Sequence, residues 1–380
     1  VRHHTTYEES LMRTRGSVYM HWAKQHAAAR YNLANSGLLG CETEDLTLDA
    51  SDLRINGPNH EGFRPLLEAI GERYGVSAAR VVTAPGTSGA NFLAFSALVE
   101  PGDEVLVEQP TYEPLLAALS WLGARVHRFQ RRFEDSYGWD LEEVRGALAD
   151  RGTGSAKSGG GIRLVVLTNP HNPSGALAPP AAMAELGQLA AEAGATVLVD
   201  EVYKDIWGTE APRSHVHLGP NFVATASLTK CYGLSGLRCG WALAAPDLVE
   251  RMRRVNDFMA ATHSMPSDAL SLAAFRQLER LASRSHSILA PNWTLARDFL
   301  AEHGDFLEAV LPAHTMMVFP RLLREADSQA LHDRLRRLET SIVPGRFFDH
   351  PRHFRLGFAV RHEDVAQGLL NLSQALRATG

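Results

Sequence analysis

Between about Arg80 and Pro246, short β-branched apolar runs alternate with stretches of helical spacing. Glu104–Glu108, Arg125–Phe129, Arg163–Thr168, Thr196–Asp200, Val223–Ser227 and Gly240–Ala244 read as strands, since β-branched side chains suit a pleated, buried surface. Gly89–Val99, Glu113–Leu122, Leu141–Ala149 and Ala181–Ala193 read as the helices between them. Near-continuous apolar strands separated by helices predict an α/β fold with a mostly parallel sheet covered on both faces. Ligands of such sheets bind beyond the carboxyl ends of the strands. Polar residues placed just after strands, or at helix starts, are therefore the candidates for chemistry.

After about Met265 the texture changes. Long amphipathic stretches (Ser267–Ala282, Ala290–His303, Ser328–Leu338, His362–Ala378) flank the short strands Met316–Phe319, Ser341–Val343 and Phe354–Phe358. This predicts a large domain over residues 45–260 and a smaller α+β domain from residues 1–44 and 261–380. The Gly/Ser-rich run Arg151–Gly161 precedes a strand and lacks phosphate-loop spacing, so it reads as a flexible surface loop.

Composition narrows the class without identifying it. The chain has 380 residues, 45% hydrophobic and 21% charged, with a formal net charge of -5. No basic stripe suggests a nucleic-acid partner, and no apolar run is long enough to cross a membrane. Val1–Thr6 lacks the apolar core of a signal peptide, and an opening Val suggests a trimmed or incomplete start. Cys41, Cys231 and Cys239 are too few for a disulfide framework, which fits a cytoplasmic metabolic enzyme. Seventeen histidines show no metal-ligand spacing; His215 and His217 are expected in a surface loop. Cys231 reads as a small buried thiol.

Chemistry concentrates in a few places. Ser227-Leu228-Thr229-Lys230 follows a buried strand and leads into Gly233–Trp241. A lysine there is desolvated, which favours the neutral amine that attacks an aldehyde. Ser227 and Arg238 flank it with a hydroxyl and a permanent charge suited to a phosphate. Asp200 ends an apolar strand, where a carboxylate needs a partner such as a protonated pyridine nitrogen; Tyr203 follows within reach of the same ring. Asn172 sits in the proline-fixed loop Asn169–Gly175. Thr87 and Ser88 lie in a small-residue loop feeding a helix, a setting that suits phosphate. Tyr112, after the strand Glu104–Glu108, can stack on a flat cofactor. Tyr19, His21 and Trp22 either line a substrate pocket or pack the N-terminal segment.

The ordered set Gly86–Ala90, Pro101–Val105, Pro110–Tyr112, Asn169–Gly175, Asp200–Tyr203, Ser227–Lys230, Pro344–Gly345 and Phe354–Leu356 resembles the fold-type I aminotransferases of class I/II. The resemblance covers most of the chain. It implies a sheet of the seven-stranded type sandwiched by helices, with pyridoxal 5'-phosphate as cofactor. Lys230 then resembles the lysine that holds the cofactor as a Schiff base and shuttles a proton between Cα and C4'. Asp200 resembles the partner of the pyridine nitrogen, Tyr203 and Asn172 those of the ring oxygen, and Tyr112 the stacking ring. Thr87, Ser88, Ser227 and Arg238 resemble the phosphate cup. Arg355 resembles the clamp on the substrate carboxylate, and Gly37 the glycine whose backbone covers it.

The implied reaction moves an amino group between an α-amino acid and a 2-oxo acid by a ping-pong mechanism. A homodimer is implied too, because the resembled enzymes build each active site from two subunits. Many of them place a tyrosine where this chain has Asn56; Asn56, Asn59 or His60 takes over its cross-subunit contact, or the contact is missing. Tyr19–Lys24 and Val343–Phe348 faintly resemble the capreomycidine synthases, relatives that cyclise an arginine derivative instead of transaminating. Elimination, replacement or cyclisation on the same cofactor is therefore the alternative outcome. No second arginine is assignable to a dicarboxylate substrate.

Overall fold

The computed structural model describes residues 16–150 and 160–378. Val1–Thr6 and most of the Gly/Ser-rich run, 151–159, lie outside the described residues. The centre is an eight-stranded sheet. Its strands are β1 (Val81–Pro85), β2 (Glu104–Gln109), β3 (Arg125–Arg132), β4 (Gly138–Trp139), β5 (Ile162–Thr168), β6 (Thr196–Asp200), β7 (Phe222–Ser227) and β8 (Cys239–Leu243). Across the sheet they run β1-β8-β7-β6-β5-β2-β3-β4.

Pairing from β3 through β2, β5 and β6 to β7 is parallel, as the apolar runs predict. β8 is antiparallel to both β7 and β1, and β4 is a two-residue return on β3. The reversal at β8 follows from chain length. Residues 228–238 are too few for the crossover of a dozen or more residues that parallel strands need. β1 is the strand that the apolar pattern does not single out, because three of its five residues belong to the small-residue loop Thr83–Ala90. The helix after it starts at Gly86, three residues earlier than its pattern suggests, and packs against β8.

The C-terminal part also departs from the pattern. Ser267–Ala282 and Ala290–His303 are not two separate helices. The chain breaks at Arg276–Gln277 instead, between Met265–Phe275 and one 25-residue helix, Leu278–Glu302, that runs through Pro291. Pro291 is exposed, so its missing N–H falls on the solvent side. Three short strands, Met317–Val318, Val343–Pro344 and Phe354–Gly357, form a small sheet with Phe354–Gly357 in the middle. Its core includes Leu33, Leu331, Leu356 and Leu372, and reaches Val202 and Tyr203. Among the described residues no helix is long and apolar enough to cross a membrane.

Candidate active site

Register aligns Thr168 with Asp200 and Asp200 with Thr225, so β5 and β6 end level while β7 runs on to Ser227. Asp200 is buried there. Its carboxylate accepts from Asn91 Nδ2 at 2.9 Å and from Val202 N at 3.1 Å. Thr225 donates to Asn91 Oδ1 at 2.6 Å, which turns the amide NH2 towards Asp200. Burial pushes the Asp200 carboxyl up to about 6, opposed by these hydrogen bonds and by Lys230. Such a group gains most from a cationic partner.

Lys230 follows β7 through a turn pinned by Leu228 N donating to Cys239 O. The N-terminal segment is laid over it: Leu38 N donates to Lys230 O at 2.9 Å, and a Cβ on Gly37 would meet Lys230 Cδ at 3.6 Å. Nζ donates to Ser36 Oγ at 2.8 Å. Burial first, then the Arg355 charge, brings the ammonium down to about 8, with Asp200 pulling the other way. Tyr203 is buried, and Ser36 hydrogen-bonds its hydroxyl.

Arg355 lies on the middle strand of the small sheet and is fully buried. It donates to Asn172 Oδ1 at 3.0 Å, Tyr19 Oη at 2.7 Å and Ala34 O at 3.1 Å, while its Nε has no partner among the described residues. These acceptors are all neutral. The loop carrying Asn172 rests on a buried ion pair that sequence reading missed. Arg131 donates to Glu108 at 2.8 Å, Thr168 donates to Glu108 through both N and Oγ1 at 2.7 Å, and Asn172 N donates to Thr168 Oγ1 at 2.9 Å. His171 Nε2 donates to Pro110 O, so its Nδ1 accepts from Ser174; burial keeps the ring neutral.

Tyr112 immediately precedes the helix Glu113–Trp121, and its hydroxyl donates to Met20 Sδ at 3.3 Å. Tyr19 stands edge-on to it, with ring centroids 5.6 Å apart, and packs on Phe347 and Phe348. The N-terminal helix Val18–His26 thus reaches Arg355 through Tyr19, whereas Trp22 stacks on His26 and packs the segment.

Thr87, Ser227 and Arg238 gather at the start of the helix Gly86–Leu98. No side chain caps that helix. Arg238 lies over Gly86, donating to Pro85 O at 3.1 Å and Ser235 O at 3.2 Å, and Ser227 Oγ accepts from Thr229 N. A Cβ on Gly240 would fall 2.2 Å from Gly86 C, so glycine lets the two strand ends cross this closely. Thr87 Oγ1 and Thr229 Oγ1 are buried with no partner among the described residues. Buried hydroxyls, a helix N-terminus and a guanidinium held by carbonyls fit a phosphate. With the lysine and the buried acid alongside, the donor set fits pyridoxal 5'-phosphate. Ser88 and Arg238 are exposed in the single chain.

The surface loop expected at His215 is not found. His215 is buried, with Nδ1 donating to Glu201 at 2.7 Å, while His217 is half-buried with Nε2 donating to Tyr74 O. Asn59 turns inward and donates to His263 O at 2.7 Å, leaving Asn56 and His60 exposed. Cys231 is buried, its thiol donating to Val202 O. Among the described residues no group of His, Cys, Asp or Glu is arranged to hold a metal.

The sequence pattern of aminotransferase class I and II matches residues 42–371. Capreomycidine synthase of Streptomyces vinaceus is 31% identical over 298 residues, 78% of this chain and 74% of that protein. Histidinol-phosphate aminotransferase of Halorubrum lacusprofundi is 28% identical, covering 83% of this chain and 80% of its own. The crystal structure of a PLP-dependent aminotransferase from Streptococcus suis superposes with a TM-score of 0.86 at 26% identity, over 95% of this chain and 97% of that one. The chain belongs to the aminotransferase class I and II family, fold-type I enzymes whose cofactor is pyridoxal 5'-phosphate.

Proposed function

We propose that this protein is an aminotransferase that moves an amino group from an α-amino acid to a 2-oxo acid in a ping-pong cycle. The observation that carries the reading is Arg355, a fully buried guanidinium with neutral acceptors and an unpartnered Nε, beside Lys230. A buried charge of that kind is set up for an incoming carboxylate.

Bound, the cofactor supplies an aldehyde that takes the amino group and a protonated ring that accepts the electron pair left on Cα. Arg355 grips the α-carboxylate with its forked donors and so turns the Cα–H bond towards Lys230. Lys230, with a pKa near 8, is neutral often enough to take that proton and acidic enough to return it. Asp200 holds the proton on the ring nitrogen. Asn172 Oδ1 is taken by Arg355, so its amide NH2 and the Tyr203 hydroxyl are the groups left for the ring oxygen.

The two-domain division at residues 45–260 and the homodimer belong to the same proposal. Ile55 at 78% exposure and Phe258 at 95% support a covered face, since a monomer would leave both in water. Exposed Arg238 and Ser88 support a phosphate cup completed from a second subunit.

Arg355→Lys tests the carboxylate clamp. Lysine cannot reproduce the fork, and truncating one side of a buried charge pair costs about 3 kcal/mol. Donor KM is expected to rise about a hundredfold, with the absorbance of the lysine-bound cofactor unchanged; an unaltered KM refutes the clamp.

A second reading is supported by the 31% identity to capreomycidine synthase. The same residues would take the Cα proton, with elimination, replacement or ring closure as the outcome instead of amino transfer. A half-reaction screen of amino acids, followed by cofactor absorbance with Lys230→Ala as the blank, separates the two. Conversion to the aminated cofactor with release of a 2-oxo acid supports transamination. Product release without that conversion, and without need of an acceptor, supports the second reading. No response to any amino acid sinks both.

A further inference from the structure

The loop before Gly37 carries a hydroxyl for which the reaction above has no assigned use. Asn35 Oδ1 accepts from Gly37 N at 3.1 Å, and Asn35 Nδ2 donates back to Gly37 O at 2.9 Å, closing the loop on itself. Gly357 N donates to Leu33 O and Leu39 N to Ala359 O, both at 2.7 Å, while Leu38 N donates to the backbone of Lys230. Gly357 permits the approach, because a Cβ there would lie 2.0 Å from Asn35 O. Ser36 is thus fixed from both sides, with its Oγ 2.8 Å from Lys230 Nζ and in hydrogen-bond contact with Tyr203. A hydroxyl has one proton and two lone pairs. Since the Lys230 amine donates to it, the Ser36 oxygen serves Lys230 as an acceptor.

We propose that Ser36 is a positioning residue for Lys230: its hydroxyl holds the ammonium that Lys230 becomes after taking the Cα proton, and keeps it aimed at the reacting carbons. The inference rests on the reading of Lys230 as the base. In that step the Cα–H bond breaks, an N–H bond forms on the Nζ lone pair, and the C–H electron pair stays with the substrate carbon. Ser36 neither gains nor loses a proton. It accepts one of the three ammonium N–H bonds, which leaves two to face the substrate. A lysine stem is flexible and misplacement of a reacting group is costly in rate, so an anchored hydroxyl supplies orientation that Lys230 lacks alone. By favouring the charged form, the same contact opposes the desolvation around Lys230.

Two measurements test this. Cofactor-free protein is mixed with pyridoxal 5'-phosphate across a range of pH, reduced with borohydride, and the modified Lys230 peptide is counted by mass spectrometry. Ser36→Ala is expected to move the capture profile to lower pH by about half a unit, and Ser36→Thr to restore it. In the holoenzyme, the single-turnover rate with the amino acid giving the fastest response in the screen is expected to fall about tenfold in Ser36→Ala, with half-saturation little changed. Ser36→Thr should recover that rate. An unchanged capture profile in Ser36→Ala overturns the proposal whether or not any amino acid turns over. Equal losses in rate and half-saturation, unrescued by threonine, mark a merely structural loop residue and overturn it too. A shifted profile without turnover keeps Ser36 on Lys230 and counts against the transamination reading alone.

Discussion

Lys230→Ala is expected to leave a folded protein without the lysine-bound cofactor colour and with a single-turnover rate down by about four orders of magnitude. The size follows from the absence of a substitute among the described residues. The chain carries four lysines, Lys24, Lys157, Lys204 and Lys230, among 38 lysines and arginines. Lys24 is exposed on the N-terminal helix. Lys204 is buried 3.7 Å from Glu201, donates to Pro212 O and lies over the Tyr74 ring. Arginine cannot stand in, because it stays protonated and neither condenses with an aldehyde nor removes a proton. Absorbance of the purified variant and rapid-mixing kinetics check the expectation; a residual rate within tenfold of wild type would take the base role away from Lys230. The scarcity of lysine also makes the borohydride experiment on Ser36 easy to read.

The parts of the site that follow a strand are legible in the sequence, because position after an apolar run already says where a side chain emerges. Lys230, Asp200, Asn172 and Tyr203 are found that way, and Arg355 from the resemblance. Residues that act only through distant contacts are not. Ser36 is 194 positions from Lys230 and Tyr19 is 336 positions from Arg355, so no local pattern ties either pair. Asn91 left one signal, an amide between Ala90 and Phe92 in an otherwise small and apolar helix, but its partner lies 109 positions away. His215 misleads for the opposite reason. Its neighbours Arg213, Ser214 and His217 look solvated, while Glu201 draws the segment inward. The fold shows the same division. Strand ends shift by a residue or two up to Gln109, more at Arg132, but the reversal of β8 depends on how short the link from β7 is. The break at Arg276–Gln277 carries no glycine or proline, whereas Pro291 advertises a break that does not occur.

Asp200→Asn is expected to slow the half-reaction about a thousandfold, since removing one side of a buried charge pair costs about 4 kcal/mol and each decade takes about 1.4. The same substitution has a pH signature that separates it from damage. Burial, opposed by the Asn91 and Val202 hydrogen bonds, holds the carboxyl at about 6 in the cofactor-free protein, against 3.8 for the ordinary group. A folded-state pKa raised in this way gives a contribution to stability that is complete below 3.8 and lost as pH rises through about 6. Cofactor-free wild type is therefore expected to lose about 3 kcal/mol relative to Asp200→Asn across that window. Cofactor binding should run the other way, tightening as pH rises through about 6, because only the ionised carboxylate pairs with a protonated ring nitrogen. Asp268, pushed up to about 7 by burial, titrates nearby in pH but is common to both proteins and cancels in their difference. Thermal melts and cofactor titrations of the two proteins read both slopes. Opposed slopes in wild type, both flattened in the variant, are what a buried acid waiting for a cation requires; parallel curves would remove Asp200 from that role.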